Sequence, residues 1–235
     1  MKAGKVRKKV LALLLAGTAI LGLTGGGTMQ VEAAGQENAY VDTSSYEQLY
    51  KLYEDYFKLG IACQAMDHWN DPTAEIGNQE KEELINRMFN SMTFGNELKP
   101  AYNFDASSEN LFKVDFAAEE MLEWAKENNM KVRGHVLVWH SQVDPSIFAI
   151  DYQAYADGKL TKSDTAKLDE ECLVDREELL ARLKRYIYGV LEYTYKNGYA
   201  DVIYAWDVVN EAADENQYDG LRRSYWYQII GPDYL

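Results

Sequence analysis

Cysteine is scarce in this chain: Cys63 and Cys172 are the only two in 235 residues, and neither stands in a CxxC or Cys/His ligand pattern. That withdraws support for a zinc site, while spacing alone leaves open whether the two meet in a disulfide. Histidine occurs three times, as His68, His135 and His140, with His68 in a different loop, so no metal cluster is read and none is expected. Positive charge is also short, with 24 Lys and Arg against 38 Asp and Glu and a net charge of −14. Such a surface repels phosphate backbones and anionic lipid, so no nucleic-acid partner is expected. No long apolar run is present: the longest, Val10 to Leu23, is shorter than the ~20 residues of a membrane span. Repeats and low-complexity tracts are absent too.

What remains is an ordinary globular mixture, 47% hydrophobic and 26% charged, long enough for one domain with a sizeable core or two small ones. The start differs from the rest. Lys2, Lys5, Arg7, Lys8 and Lys9 precede the short apolar run, and Val31-Glu32-Ala33 puts small residues at the last and third-last positions of a cleavage site. Residues 1–33 are therefore read as a signal peptide, 34–45 as a linker and 46–235 as the folded part. The expected location is secreted, with no membrane attachment in the mature form. Removal of the leader, which carries a net +4, takes the chain from −14 to −18.

From Tyr46 onward, short β-like runs alternate with longer amphipathic stretches. Helical spacing predicts helices over 46–56, 80–88 and 115–128, and another from Asp175 to about Lys196. Asp175 with Glu178 is a capping-box variant, and Gly198 is the stop. Strands are predicted at 57–63, 89–94, 131–139 and 202–209, with a further helix beginning near Arg222. Strict alternation of this kind means parallel β/α units, an α/β fold. Four units suit a small open sheet or half of an eight-fold barrel equally well, and in both the function sits beyond the carboxyl ends of the strands.

Three places satisfy that rule. In Trp206-Asp207-Val208-Val209-Asn210-Glu211 a strand ends in an amide and a carboxyl group, here expected on a central strand. A carboxylic acid at such a mouth can protonate the leaving oxygen of a glycosidic bond; a solvated loop Glu is the plainer reading. In Arg133-Gly134-His135-Val136-Leu137-Val138-Trp139-His140-Ser141-Gln142, His135 and Trp139 share a strand face, suited to binding a sugar hydroxyl and covering its apolar side. His140 has the opposite parity and reads as a buried supporting residue. In Gly95-Asn96-Glu97-Leu98-Lys99-Pro100, Asn96 and Lys99 offer hydroxyl-binding groups, or equally loop caps.

Taken together and in this order, these motifs resemble glycoside hydrolase family 10, over roughly Phe57 to the last residue. The resemblance implies a (β/α)8 TIM barrel, of which this chain carries about the first four β/α units. It implies a retaining endo-β-1,4-xylanase acting on xylan or xylo-oligosaccharide without a cofactor. Glu211 would be the acid/base, and Asn96, Lys99, His135, Trp139, Gln142 and Asn210 would bind the sugar. Carbohydrate-binding modules are candidate partners in a C-terminal part outside this sequence. Two departures stand out. Gly95 replaces a usual Glu, and the second catalytic Glu belongs to a seventh barrel strand not found here. The competing expectation is therefore a non-catalytic fragment that retains at most weak carbohydrate binding.

Overall fold

The alternation seen in the sequence becomes a chain of parallel β/α units. The computed structural model describes residues 44–65, 71–151 and 170–235, and residues 46–235 make up one compact unit. The leader at 1–33, the linker up to residue 43, His68 and the segment 152–169 lie outside the described residues.

In chain order the elements are β1 (Gly60–Cys63), α1 (Gln79–Met88), β2 (Ser91–Phe94), α2 (Pro100–Asn103), α3 (Phe116–Glu127) and β3 (Lys131–Gly134). There follow β4 (Val138–Trp139), α4 (Arg176–Lys196), β5 (Ile203–Trp206), β6 (Val209–Asn210) and α5 (Tyr225–Ile230). The main sheet runs β1-β2-β3-β5 with every neighbouring pair parallel, and β4 and β6 form a second, two-stranded parallel ladder.

Local signals set the helix limits. Asp115 accepts from the Ala117 N–H at 3.0 Å to open α3, and Asp175 accepts from the Glu178 N–H at 2.9 Å to open α4. Each satisfies a backbone donor that has no partner inside its helix. After α4 the chain turns away at Gly198, whose φ of +73° costs a residue without a Cβ nothing.

Two apolar clusters hold these elements. Met92, Phe94 and Val132 of the sheet pack on Ile85 of α1 and on Met121 and Leu122 of α3. The second gathers Phe148, Leu179, Tyr186, Trp226 and Ile230 around α4 and α5, with the Phe148 and Trp226 rings edge to face at 4.7 Å. Each such buried side chain contributes roughly 1.5–3 kcal/mol. Trp206 packs against both clusters, which ties the end of β5 to each core.

Three sequence expectations are corrected. The helix predicted over 46–56 is a 3-10 turn at Leu49–Leu52 with no buried residue. Its apolar stripe finds no core surface, and a helix this short does not persist without one. The strands predicted at 131–139 and 202–209 are each divided, into β3 and β4 and into β5 and β6. Between β3 and β5 the register shifts, so that Tyr204 has no opposite residue and bulges from the strand. Finally, the strand leading to Glu211 is not central: β5 is the edge of the sheet among the described residues.

Candidate active site

The carboxyl ends of β2, β4 and β6 converge, and with them the three motifs. Backbone bonds from Leu137 N to Asp207 O (3.1 Å) and from Val138 N to Val208 O (3.0 Å) hold the β4–β6 ladder together. That ladder sets Trp139 opposite Asn210, with Glu211 the next residue. Glu211 takes a left-handed φ of +51°, and the Arg222 Nε donates to its carbonyl oxygen at 2.9 Å. Gln142, after β4, has a φ of +47°. Left-handed backbone at a non-glycine residue costs ~1–3 kcal/mol and persists where its surroundings hold it.

Trp139 is the hub. Its Nε1 donates to Glu211 Oε2 at 3.0 Å, and its carbonyl oxygen accepts from Trp226 Nε1 at 2.9 Å. One face of the indole lies under the Lys99 ammonium, 5.0 Å from the ring centroid, an attraction worth ~0.5–2 kcal/mol according to its exposure. The rings of His135 and His140 sit 5.9 Å and 5.8 Å away.

Beside this hub lies a connected polar network. Lys99 Nζ donates to Asn96 Oδ1 (2.8 Å) and to Gln142 Oε1 (2.5 Å), and Gln142 Nε2 donates to Asn96 Oδ1 (3.1 Å). Lys99 is buried, and burial lowers its pKa, while the negative charges of Glu97 and Glu211 work in the opposite direction. On the other flank, His135 Nδ1 meets Asp207 Oδ2 at 2.9 Å, and Arg133 Nε donates to Asp207 Oδ1 at 2.8 Å. A carboxylate only accepts, so in this contact His135 Nδ1 is the donor.

Every sugar-binding candidate therefore adjoins one region. Asn96, Lys99 and Gln142 form the network; His135 and Trp139 lie beside it; Asn210 stands opposite Trp139 in the ladder. Glu211 is half-exposed at their edge, with 52% of its side chain accessible.

The His140 side chain is largely buried, as its position suggests, with 9% of it accessible, but it faces the same side as Trp139. Its Nε2 approaches Glu211 Oε2 to 3.7 Å, although parity put it opposite Trp139. Alternation holds only while a strand continues, and β4 ends at Trp139. Asp207, to which its motif assigns no role, orients His135. Asp207 lies one residue past β5, and its pairing with Arg133 and His135 spans more than 70 positions, so no local pattern signals it. Glu97 proves to be a backbone clamp: fully buried, it accepts from the N–H groups of Ala65 (3.0 Å) and Asn96 (2.9 Å).

The chain is similar to known proteins over most of its length. The chain is 37% identical over 188 residues to an endo-1,4-beta-xylanase A of Thermotoga maritima, covering 80% of this chain and 15% of that protein. It is 40% identical over 187 residues to one from Caldicellulosiruptor sp. (strain Rt8B.4), covering 80% and 23%. An intracellular xylanase from Thermoanaerobacterium saccharolyticum, solved as a mutant in complex with xylotetraose, superposes with a TM-score of 0.61 at 32% identity. That match covers 81% of this chain and 50% of the solved one. The chain thus spans at most half the length of the proteins it matches here, and carries about the first four β/α units of a (β/α)8 TIM barrel. Residues 48–235 match the sequence profile described as Glycosyl hydrolase family 10. With that match over most of its length, the chain belongs to glycosyl hydrolase family 10.

Proposed function

We propose that this chain supplies the acid/base half of a retaining endo-β-1,4-xylanase site, acting on xylan or xylo-oligosaccharide. One observation carries the reading: Glu211 is held at a strand end by Trp139 Nε1, beside the assembled Lys99–Asn96–Gln142 network. Glu211 protonates the leaving oxygen of the xylosidic bond, and in the second step takes a proton from the attacking water. In such a double displacement the partner carboxylate lies ~5–5.5 Å away and forms the covalent glycosyl intermediate. Glu97 does not fill that role, because both its oxygens accept backbone bonds inside the core. The resemblance to family 10 implies a nucleophile on a seventh barrel strand, which is not found among these residues. Asn96, Lys99, Gln142, His135 and Asn210 orient the sugars, an entropic contribution of several kcal/mol in such sites. The leader at 1–33 supports export of the protein, with cleavage after Ala33.

The test has two arms. Residues 34–235 alone are expected to release no reducing ends from xylan above the background of Glu211→Gln; clear turnover abolished by that variant would place the nucleophile within these residues. In a chain extended to a complete barrel, Glu211→Ala should lose at least about 100-fold on xylan, the usual weight of general acid catalysis. It should lose far less on an aryl xylobioside, whose leaving group needs little protonation. Equal losses on both substrates would make Glu211 a structural residue.

A further inference from the structure

Gln64 follows β1 and has no part in the site described above. Its backbone is fixed at both ends: its N–H donates to Glu75 Oε2 at 3.1 Å, and its carbonyl accepts from the N–H groups of Glu75 (3.2 Å) and Ile76 (3.0 Å). Its half-buried side chain lies across Gly95. A Cβ added at Gly95 would come within 2.7 Å of Gln64 Cγ and 3.3 Å of Nε2, so the absence of a side chain at 95 is what admits Gln64 there.

The polar network then decides which way the Gln64 amide faces. Lys99 can only donate, and it donates to Asn96 Oδ1, so Asn96 must turn its Nδ2 outward. That Nδ2 meets Gln64 at 3.5 Å, which puts the Gln64 oxygen on Asn96 and points its Nε2 away from the network. Among the described residues no acceptor takes a hydrogen bond from Nε2. A run of contacts thus leads from Glu211 through Trp139, Lys99 and Asn96 to an uncommitted amide donor at its far end.

We propose that Gln64 is a further sugar-binding residue, donating from Nε2 to a hydroxyl oxygen of the sugar unit farthest from Glu211 on the Asn96–Lys99 side. This rests on the sugar-site reading above. It makes Gln64 a determinant of how tightly the distal unit is held, and Gly95 the position that makes room for it.

The probe is xylotriose, titrated into the 235-residue chain by calorimetry and by amide NMR. The Gln64 side-chain NH2 pair is assigned from its disappearance in Gln64→Met, which keeps volume over Gly95 and removes only the amide. Gln64→Met and Gln64→Ala should each weaken xylotriose binding by about two- to tenfold, the weight of one hydrogen bond. The Gln64 NH2 pair should shift on titration of the unmutated chain. If Lys99→Ala weakens binding while both Gln64 variants bind as tightly as the unmutated chain, the proposal falls and the site reading stands. Weaker binding in the variants with no shift of the NH2 pair also overturns it, because Gln64 would then act only through Asn96. Absence of xylotriose binding, or indifference to Lys99→Ala, removes the site reading and this proposal together.

Discussion

Trp139 shows how much one side chain can organise when its ring, its N–H and its carbonyl face different neighbours. Its N–H is on Glu211, its ring is under Lys99, and its carbonyl is fixed by Trp226 from the second core. The two cysteines are the opposite case, side chains that organise nothing polar. Both are buried and unpaired, so a thiol count should find two in denaturant without reductant and almost none reacting quickly in the native protein. A count of zero in denaturant would mean that they have paired. Burial, reinforced by the charges of Glu75 and Glu97, pushes the Cys63 thiol up to about 12 from its ordinary 9.0. The folded state therefore keeps a proton that the unfolded chain releases. The stability this contributes is complete below pH 9 and is lost as pH rises towards 12. Urea unfolding at pH 8, 9.5 and 11 should show that fall, and Cys63→Ala should flatten part of it.

At the level of elements, β3 and β5 meet closely at Gly134. A Cβ on Gly134 would lie 2.3 Å from Trp206 Cε3 and 2.6 Å from two further ring atoms. The indole cannot turn away, because it packs against both cores at once. Gly134→Ala should therefore cost about 2–3 kcal/mol, seen as a fall in Tm of roughly 5–10 °C. Gly95→Ala is the matched comparison. The three atoms nearest its Cβ all belong to the flexible Gln64 side chain, and the loss of stability should stay under about 1 kcal/mol. Thermal unfolding of the two variants side by side checks the pair, and equal losses would refute the assignment of Trp206 as an immovable neighbour.

For the molecule as a whole, the consequence lies at the rim of the sheet. Among the described residues β1 and β5 each pair on one side only, and Tyr204 within β5 and Val208 just after it are 45% and 58% exposed. Unpaired edges of this kind recruit other strands. The 235-residue chain should therefore self-associate as its concentration rises. Its net charge of −14 opposes this, so added salt should strengthen the association by screening. Sedimentation velocity across concentration and salt reads both effects; a monomer throughout would show that something within the chain covers the edges.

The sequence by itself determined the features that depend on neighbours along the chain. Asp115, Asp175 and Gly198 delimit helices because caps and stops act over three or four residues. Alternation of helix and strand made the sheet parallel, and so put the Asn96, Trp139 and Glu211 motifs at one end of it. Only the tertiary structure decided the rest. It left 46–56 without a core to fold on, divided both long strands, turned His140 towards Glu211, committed Glu97 to backbone groups and laid Gln64 over Gly95. Most of these outcomes join residues about 30 to 70 positions apart. Their geometry is set by the register in which parallel strands settle once the helices between them have packed, and no local pattern encodes that register.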